Sequence, residues 1–185
     1  MTARHDRSPL PVALLLAGVV VSPALADAGC VDDSKNLLAR RSCDFARGIE
    51  GWVAADAEAT HVSHDTASSE SGALAAHGVD GSVVVLSPCV QVKGETEHRA
   101  STRVKTTGGE VHFCQVAARQ YIDSECADGR ETLEVSAGVA PTAEWQTASG
   151  SATTAPGAKS VQLHLECNGE PGFGVLFDDV VLAKP

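Results

Sequence analysis

Apolar and polar residues alternate in short runs along most of the chain. Along Val161–Cys167 every second residue is apolar and the residues between are polar. This period of two predicts a β-strand with one buried and one exposed face. The run Val83–Leu86 is apolar throughout, which predicts a strand covered on both faces. Helical patterns are weak, and only Asp32–Arg41 has the composition of a short helix, with an acidic start and a basic end.

Turn signals separate these strand-like runs at short intervals. The runs include Ala73–His77, Ser82–Leu86, Arg99–Lys105, Val111–Arg119, Val161–Cys167 and Val175–Leu182. The turns include Asp80-Gly81, Lys93-Gly94, Gly108-Gly109, Asp128-Gly129, Pro156-Gly157 and Asn168-Gly169. Asn-Gly and Asp-Gly favour the positive φ angles of tight turns. We therefore predict an all-β antiparallel sandwich, with a hairpin across Gly108-Gly109 and a loop or edge segment over Ala54–Ser71.

The N-terminal residues have the pattern of a secretory signal peptide. Two arginines precede an apolar run over Leu10–Val21, and Ala24-Leu25-Ala26 supplies the small residues of a cleavage site. The apolar run is shorter than the roughly 20 residues of a membrane-spanning helix. We predict a signal peptide over residues 1–26 and a single domain over residues 27–185, secreted or periplasmic, with no transmembrane segment.

All six cysteines follow the predicted cleavage site, and an even number in a secreted chain predicts disulfides. Sequence does not choose among the possible pairings. Cys114 and Cys126 flank a strand and a turn, which favours pairing them. Elimination then leaves Cys30 with Cys43 and Cys89 with Cys167. Lipid attachment to Cys30 is an alternative, although Asp27 stands where a lipid-attachment signal has an aliphatic residue.

Charge and motif content exclude several classes of function. The chain has 14 basic and 24 acidic residues and a net charge of −10, which disfavours binding to nucleic acid or to anionic membranes. No G-x-S-x-G motif is present. Nothing in the sequence places two carboxylates across one cleft, as glycoside hydrolysis requires. We therefore predict that the protein is not an enzyme.

Several short motifs occur in an order that is similar to one family of β-sandwiches. They are Asn36-Leu37-Leu38, Asp44-Phe45-Ala46, Gly48–Trp52, Ser71–Leu74, Trp145, Ala155–Ala158 and Phe177–Leu182. In this order they resemble the galactose-binding-like jelly rolls that occur as CenC-type carbohydrate-binding modules beside secreted cellulases and xylanases. The resemblance covers nearly all of the predicted mature chain. It implies a jelly roll whose two chain ends meet, and a non-catalytic role in binding carbohydrate.

The resemblance also implies a structural calcium ion between the chain ends. Asp178 and Asp179 are the candidate ligands, since calcium prefers oxygen donors. Ala46 stands where the family has a glutamate that helps to hold the ion. The alternative is that Asp179 caps a turn or accepts backbone N–H bonds, and that a disulfide at Cys43 ties down the N-terminal strand instead.

A carbohydrate site combines an exposed ring with polar groups that fix hydroxyls. Tyr121 lies among polar and charged residues and is the candidate exposed ring, although packing at a sheet edge is an equal alternative. The other rings are predicted to be core residues: Phe45, Trp52, Phe113, Trp145, Phe173 and Phe177.

The candidate ligand face collects polar residues from three predicted strands. For the strand His98–Lys105, the resemblance implies that Ala100, Thr102 and Val104 are buried and that Arg103 points into a concave cleft. The full candidate set is Arg103, Gln115, Arg119, Tyr121, Gln162, His164 and Glu166. The first hypothesis is a sugar-binding face. The second is a solvated face with cross-strand pairs, in a structural or protein-interaction jelly roll that has lost sugar binding.

Overall fold

A computed structural model describes residues 30, 34–55, 57–64, 66–67 and 72–185. The predicted signal peptide (residues 1–26) and Ser71 lie outside these residues. The described chain contains one short helix and eleven strands. They are α1 (Arg40–Cys43), β1 (Val53–Ala54), β2 (Glu58–Val62), β3 (Ala73–Gly78), β4 (Ser82–Leu86), β5 (Val90–Gln91), β6 (Glu97–Gly108), β7 (Val111–Tyr121), β8 (Gly129–Glu134), β9 (Gln146–Thr153), β10 (Ser160–Gly169) and β11 (Phe173–Ala183). Within this part of the chain, no helix has the length and apolar character to cross a bilayer.

The strands form two antiparallel sheets that pack face to face. The first sheet has the order β1-β4-β10-β7-β8, and β5 also pairs with β10. The second sheet has the order β2-β3-β11-β6-β9. This architecture confirms the predicted all-β antiparallel sandwich.

The core lies between the sheets and follows the period-two pattern of the sequence. In β10, Val161, Leu163 and Leu165 are buried toward the second sheet, while Gln162 and Glu166 point away from the core and are half-buried. The largest side chains with almost no exposure are Phe45, Phe173, Phe177, Leu74, Leu163, Leu165 and Leu182. Burying one such side chain contributes about 1.5–3 kcal/mol, so these buried core residues account for much of the stability of the sandwich.

Consecutive strands often change sheet, and this corrects the predicted hairpin across Gly108-Gly109. β6 belongs to the second sheet and β7 to the first, so the two strands do not pair. Gly109 has φ +76°, and a Cβ atom there would collide with Phe173. The glycine therefore allows the tight turn by which the chain crosses from the second sheet to the first. The chain also changes sheet between β3 and β4 and between β10 and β11.

Two further local predictions are corrected. In the run Val83–Leu86, only Val83 and Val85 are buried, because Val84 and Leu86 point to the outer side of the first sheet and are half-buried. The predicted helix at Asp32–Arg41 is displaced, since the helical turn is Arg40–Cys43. Part of the predicted helix, residues 32–33, lies outside the described chain.

The N-terminal and C-terminal segments of the described chain meet, as the resemblance implies. Asn36 forms an isolated antiparallel bridge with Ala183, and the N–H of Leu37 donates to the Leu182 carbonyl at 2.7 Å. The Asn36 side chain donates to the carbonyls of Cys30 and Val180 and accepts from the N–H of Leu182. Asn36 is therefore the polar link that holds the N-terminal segment on β11.

Three disulfides join the cysteines, and one of the three predicted pairs is confirmed. Cys30 bonds to Cys43, so the Cys30 thiol is not available for the alternative of lipid attachment. The predicted pairs Cys114–Cys126 and Cys89–Cys167 are wrong, because the structure joins Cys114 to Cys167 and Cys89 to Cys126. Cys114 and Cys167 lie directly opposite each other on β7 and β10, which is the cross-strand geometry that a disulfide can bridge.

Among the described residues that face the core, His98 is a buried polar group without a hydrogen-bond partner. His98, on β6, points into the core and is 4% exposed, and neither of its ring nitrogens has a hydrogen-bond partner. It lines a cavity about the size of one water molecule, with Ala118, Val161 and Leu182 among the other walls. Burial, and then the charge of Lys184, lower the pKa of His98, so the ring is neutral in the folded protein.

Candidate functional site

Six of the seven predicted ligand-face residues come together on the outer side of the first sheet. β7 and β10 pair in a register that places Gln115 opposite Glu166 and Arg119 opposite Gln162. The same register places Ala117 opposite His164. Because alternate residues share a face, the outward positions form one continuous surface. We call it the polar face and define it as Gln115, Arg119, Tyr121, Gln162, His164 and Glu166.

Glu166 is at the centre of a hydrogen-bonded group on the polar face. The Gln115 side-chain amide donates to Glu166 Oε2 at 2.8 Å, and His164 Nδ1 lies 3.3 Å from Glu166 Oε1. The hydrogen bond from His164, followed by that from Gln115, lowers the pKa of Glu166. The carboxylate is therefore ionised at neutral pH, and its side chain retains 25% exposure, so a ligand hydroxyl can still donate to it.

His164 is oriented by this carboxylate. Its Nδ1 faces Glu166, and its Nε2 is buried without a hydrogen-bond partner. When Nδ1 carries the proton and donates to Glu166, Nε2 is left as an unused acceptor. A buried acceptor without a partner is unfavourable, so the polar face has unfilled hydrogen-bonding capacity beneath its surface.

A second hydrogen-bonded chain holds the other end of the polar face. The Tyr121 hydroxyl donates to Gln162 Oε1 at 2.9 Å, and the Gln162 amide donates to the Ser87 carbonyl at 2.9 Å. The Arg119 guanidinium lies 5.8 Å from the centroid of the Tyr121 ring, a cation–π distance. Burial raises the pKa of Tyr121. The phenol is thus a fixed, neutral group.

The exposed ring on this surface is Phe113, not Tyr121. Tyr121 is 5% exposed, whereas Phe113 is 40% exposed, so the prediction that Phe113 belongs to the core is wrong. Cys114 faces inward, so its neighbours Phe113 and Gln115 both lie on the outward side of β7. The alternation of inward and outward positions along β7 is a sequence signal that indicates an outward-facing Phe113. Gly138 lies against the ring, at a distance where a Cβ atom would make ordinary van der Waals contact with it.

An apolar margin runs beside the polar face on β4 and β1. Val84 is opposite Glu166 and Leu86 is opposite His164, and both are half-buried. Val53, opposite Leu86 on β1, is 55% exposed. The outer side of the first sheet therefore offers apolar contact along one side of a line of hydrogen-bonding groups.

Arg103 does not join the other candidates. Its side chain points outward, as the parity of β6 predicts, but β6 belongs to the second sheet. Its register partners are Asp178 on β11 and Thr147 on β9. Arg103 therefore lies on the opposite side of the sandwich from the polar face.

Asp178 and Asp179, the candidate calcium ligands, form a bulge in β11. The completely buried Asp178 carboxylate accepts from the N–H groups of Ala67 and Asp179, at 2.8 Å and 2.7 Å. Asp179 has φ +49°, and its carboxylate accepts from the N–H of Cys30 at 3.3 Å. The described residues contain no group of three or more His, Cys, Asp or Glu that could hold a metal ion. Asp178 and Asp179 supply carboxylate oxygens of the kind that calcium prefers, and calcium at this bulge stays a prediction.

Comparisons by sequence find no relatives for this chain. No protein-family model matches it, and no curated protein matches it.

Comparisons by structure find carbohydrate-binding modules. The chain is similar to the N-terminal CBM22-1 and GH10 modules of the Clostridium thermocellum endo-1,4-β-D-xylanase 10B complexed with xylohexaose, with a TM-score of 0.62 and 17% identity over 81% of this chain and 29% of that one. It is similar to the CBM22-1 xylan-binding domain of Paenibacillus barcinonensis Xyn10C, with a TM-score of 0.60 and 14% identity over 77% and 91% of the two chains. TmCBM61 in complex with β-1,4-galactotriose gives a TM-score of 0.52 and 15% identity over 82% and 100%. These likenesses confirm the predicted resemblance and the jelly-roll fold.

Proposed function

We propose that this protein is a secreted, non-catalytic carbohydrate-binding module that holds a saccharide on the polar face. The observation that carries this proposal is the exposed Phe113 ring on the same surface as the ionised, hydrogen-bonded Glu166. Three disulfides support a secreted location. The structural neighbours that bind xylohexaose, xylan and β-1,4-galactotriose support a β-1,4-linked saccharide as ligand.

The polar face supplies the two kinds of contact that such a ligand needs. The Phe113 ring offers an apolar surface to the C–H groups of a sugar ring. The Glu166 carboxylate accepts a charge-assisted hydrogen bond from a ligand hydroxyl, which is roughly twice as strong as a neutral hydrogen bond. Gln115 and His164 hold the carboxylate in place before the ligand arrives. This preorganisation reduces the conformational entropy that is lost when the ligand binds.

The proposal is tested by titration calorimetry with xylohexaose and with β-1,4-galactotriose. We expect binding to at least one of them, weakened about two- to twelvefold by Phe113→Ala, because ring contacts contribute roughly 0.5–1.5 kcal/mol. The matched control is Val79→Ala, which removes a side chain that is 59% exposed in the turn between β3 and β4 and should leave binding unchanged.

Absence of binding to both saccharides would overturn the proposal and leave the alternative of a protein-interaction jelly roll. Equal binding by the Phe113→Ala variant and the unsubstituted protein would place the ligand elsewhere.

A further inference from the structure

The two ends of the polar face differ in how far they are covered. At one end of β7 and β10, Phe113 is 40% exposed and its partner Asn168 is exposed. At the other end, Tyr121 is 5% exposed and its partner Ser160 is completely buried. All four residues stand at outward positions, away from the second sheet. Another part of the chain must therefore cover the Tyr121 end.

The covering part is residues 122–128, which join β7 to β8 and which we call the strap. The Ser160 hydroxyl donates to the Asp123 carbonyl at 2.7 Å, so the strap lies directly on β10. The strap is also internally fixed, because the Asp123 carboxylate accepts from the N–H groups of Glu125, Ala127 and Asp128 at 2.7, 3.1 and 2.6 Å. These bonds lower the pKa of Asp123, which keeps the acceptor ionised.

A disulfide links the strap to a residue on the other side of β10. Cys126 belongs to the strap, which follows β7 on one side of β10. Cys89 lies between β4 and β5, which both pair with the other side of β10. The Cys89–Cys126 bond therefore passes over the outer surface of β10, and Cys126 Sγ lies 3.3 Å from Ser160 Oγ. The polar face is closed at this end by a covalent link.

The hydrogen-bonding groups of the polar face run toward this closed end. Glu166, His164 and Gln162 follow one another at alternate positions of β10, which places successive groups about 7 Å apart along the strand. The apolar margin of Val84 and Leu86 lies beside them. A linear ligand that spans from Glu166 to Gln162 lies along β10, and its path toward Ser160 meets the strap.

We propose that the strap makes the polar face a groove closed at one end, so that the site takes the terminus of a saccharide chain and not its interior. The inference rests on the proposed function and names its ligand more closely. Chain ends are scarce in a long polysaccharide and abundant after it has been cut. The predicted ligand is therefore a partly degraded β-1,4-linked polysaccharide.

The test compares soluble xylan with the same xylan after digestion by an endo-acting xylanase, at equal mass. Digestion multiplies chain ends and leaves the sugar composition unchanged. We expect the binding capacity measured by calorimetry to rise in proportion to the number of ends. Equal capacity per mass before and after digestion would show binding to the chain interior and would overturn the inference while leaving the proposed function intact.

A variant that releases the strap provides the second arm. In Cys89→Ser/Cys126→Ser we expect the preference for digested xylan to fall, because the cross-link over β10 is gone. The matched control, Cys30→Ser/Cys43→Ser, removes the disulfide near the chain ends and should retain the preference. An unchanged preference in the strap variant would also count against the inference.

Hydrogen exchange checks the strap without any ligand. The amides of Glu125, Ala127 and Asp128 should be protected in the unsubstituted protein and should exchange faster in the strap variant. Fast exchange in both proteins would mean that the strap does not close the groove. Loss of binding to both xylan samples with these amides protected would instead overturn the proposed function for xylan.

Discussion

The outer sides of the two sheets are built differently. On the second sheet, the outward residues Ala73, Ala75 and Leu176 are buried, and Val62 and Trp145 pack against them. On the first sheet, the outward residues of β7 and β10 are mainly polar and form hydrogen bonds with one another. The contrast teaches that one outer side of this sandwich is a second packing layer. The other outer side carries the polar face.

The comparison predicts a large difference between two leucines. Leu176→Ala should lower the free energy of unfolding by about 2–5 kcal/mol, since Leu176 is 4% exposed in the outer layer of the second sheet. Leu86→Ala, at a half-buried position of the first sheet, should cost about 1 kcal/mol or less. Urea unfolding of both variants measures the difference, and equal losses would break the comparison.

Glu166→Gln should separate binding from stability. The substitution keeps the shape of the side chain and removes its charge, so xylohexaose binding should weaken about tenfold or more, since a charged hydrogen bond contributes about 1.5–3 kcal/mol. Because the folded-state pKa lies below the unfolded value of 4.5, Glu166 stabilises the fold above pH 4.5 and this contribution is lost as pH falls through the folded pKa. At neutral pH we expect the larger change in calorimetry, and a smaller loss of stability in urea unfolding, because the Glu166 side chain is 25% exposed and solvent screens its interactions. A variant that binds as well as the unsubstituted protein would remove Glu166 from the site.

Two histidines sharpen the comparison between the sheets. His98, on the second sheet, is neutral and unpaired in the core, whereas His164, on the first, faces Glu166. The lowered pKa of His98 means that stability is complete above the unfolded value of 6.5 and declines as pH falls below it, by at most about 1.4 kcal/mol per pH unit. His98→Leu should reduce this decline in urea unfolding between pH 7.5 and 5. An identical decline in the unsubstituted protein and His98→Leu would contradict the assignment.

The smallest effect is expected for Arg103→Ala. Arg103 lies on the second sheet, so the substitution should change xylohexaose affinity less than twofold. Arg119→Ala, on the polar face beside Tyr121, should weaken binding measurably, because the guanidinium packs against the Tyr121 ring. Calorimetry on the two variants decides between the sheets, and a greater loss from Arg103→Ala would place the ligand on the opposite side.

Strand parity could be predicted from the sequence, whereas sheet membership could not. The alternation in Val161–Cys167 fixes which side chains of β10 point inward. The turn at Gly108-Gly109, however, suits either a hairpin or a passage between sheets. Its true role depends on the distant Phe173. The sequence therefore predicts the outward orientation of Arg103 correctly and its sheet incorrectly.

The disulfide pairs and the exposure of Phe113 depend on strand register and on the surroundings of each residue. Cys114 and Cys167 are 53 residues apart, and only the pairing of β7 with β10 brings them together. Phe113 was predicted to be buried because most aromatic residues are. Its parity with Gln115 gave the opposite indication, and the structure follows parity.

The link through Asn36 has a consequence for how the domain can be displayed. In the described chain, the segment around Asn36 and the C-terminal residue Pro185 both lie at β11, in the sheet opposite the polar face. A tether, a fusion partner or a solid support attached at Pro185 would therefore leave Glu166 and Phe113 directed away from the attachment point. Joining the two ends by a short linker and reopening the chain at an exposed turn should likewise preserve the fold.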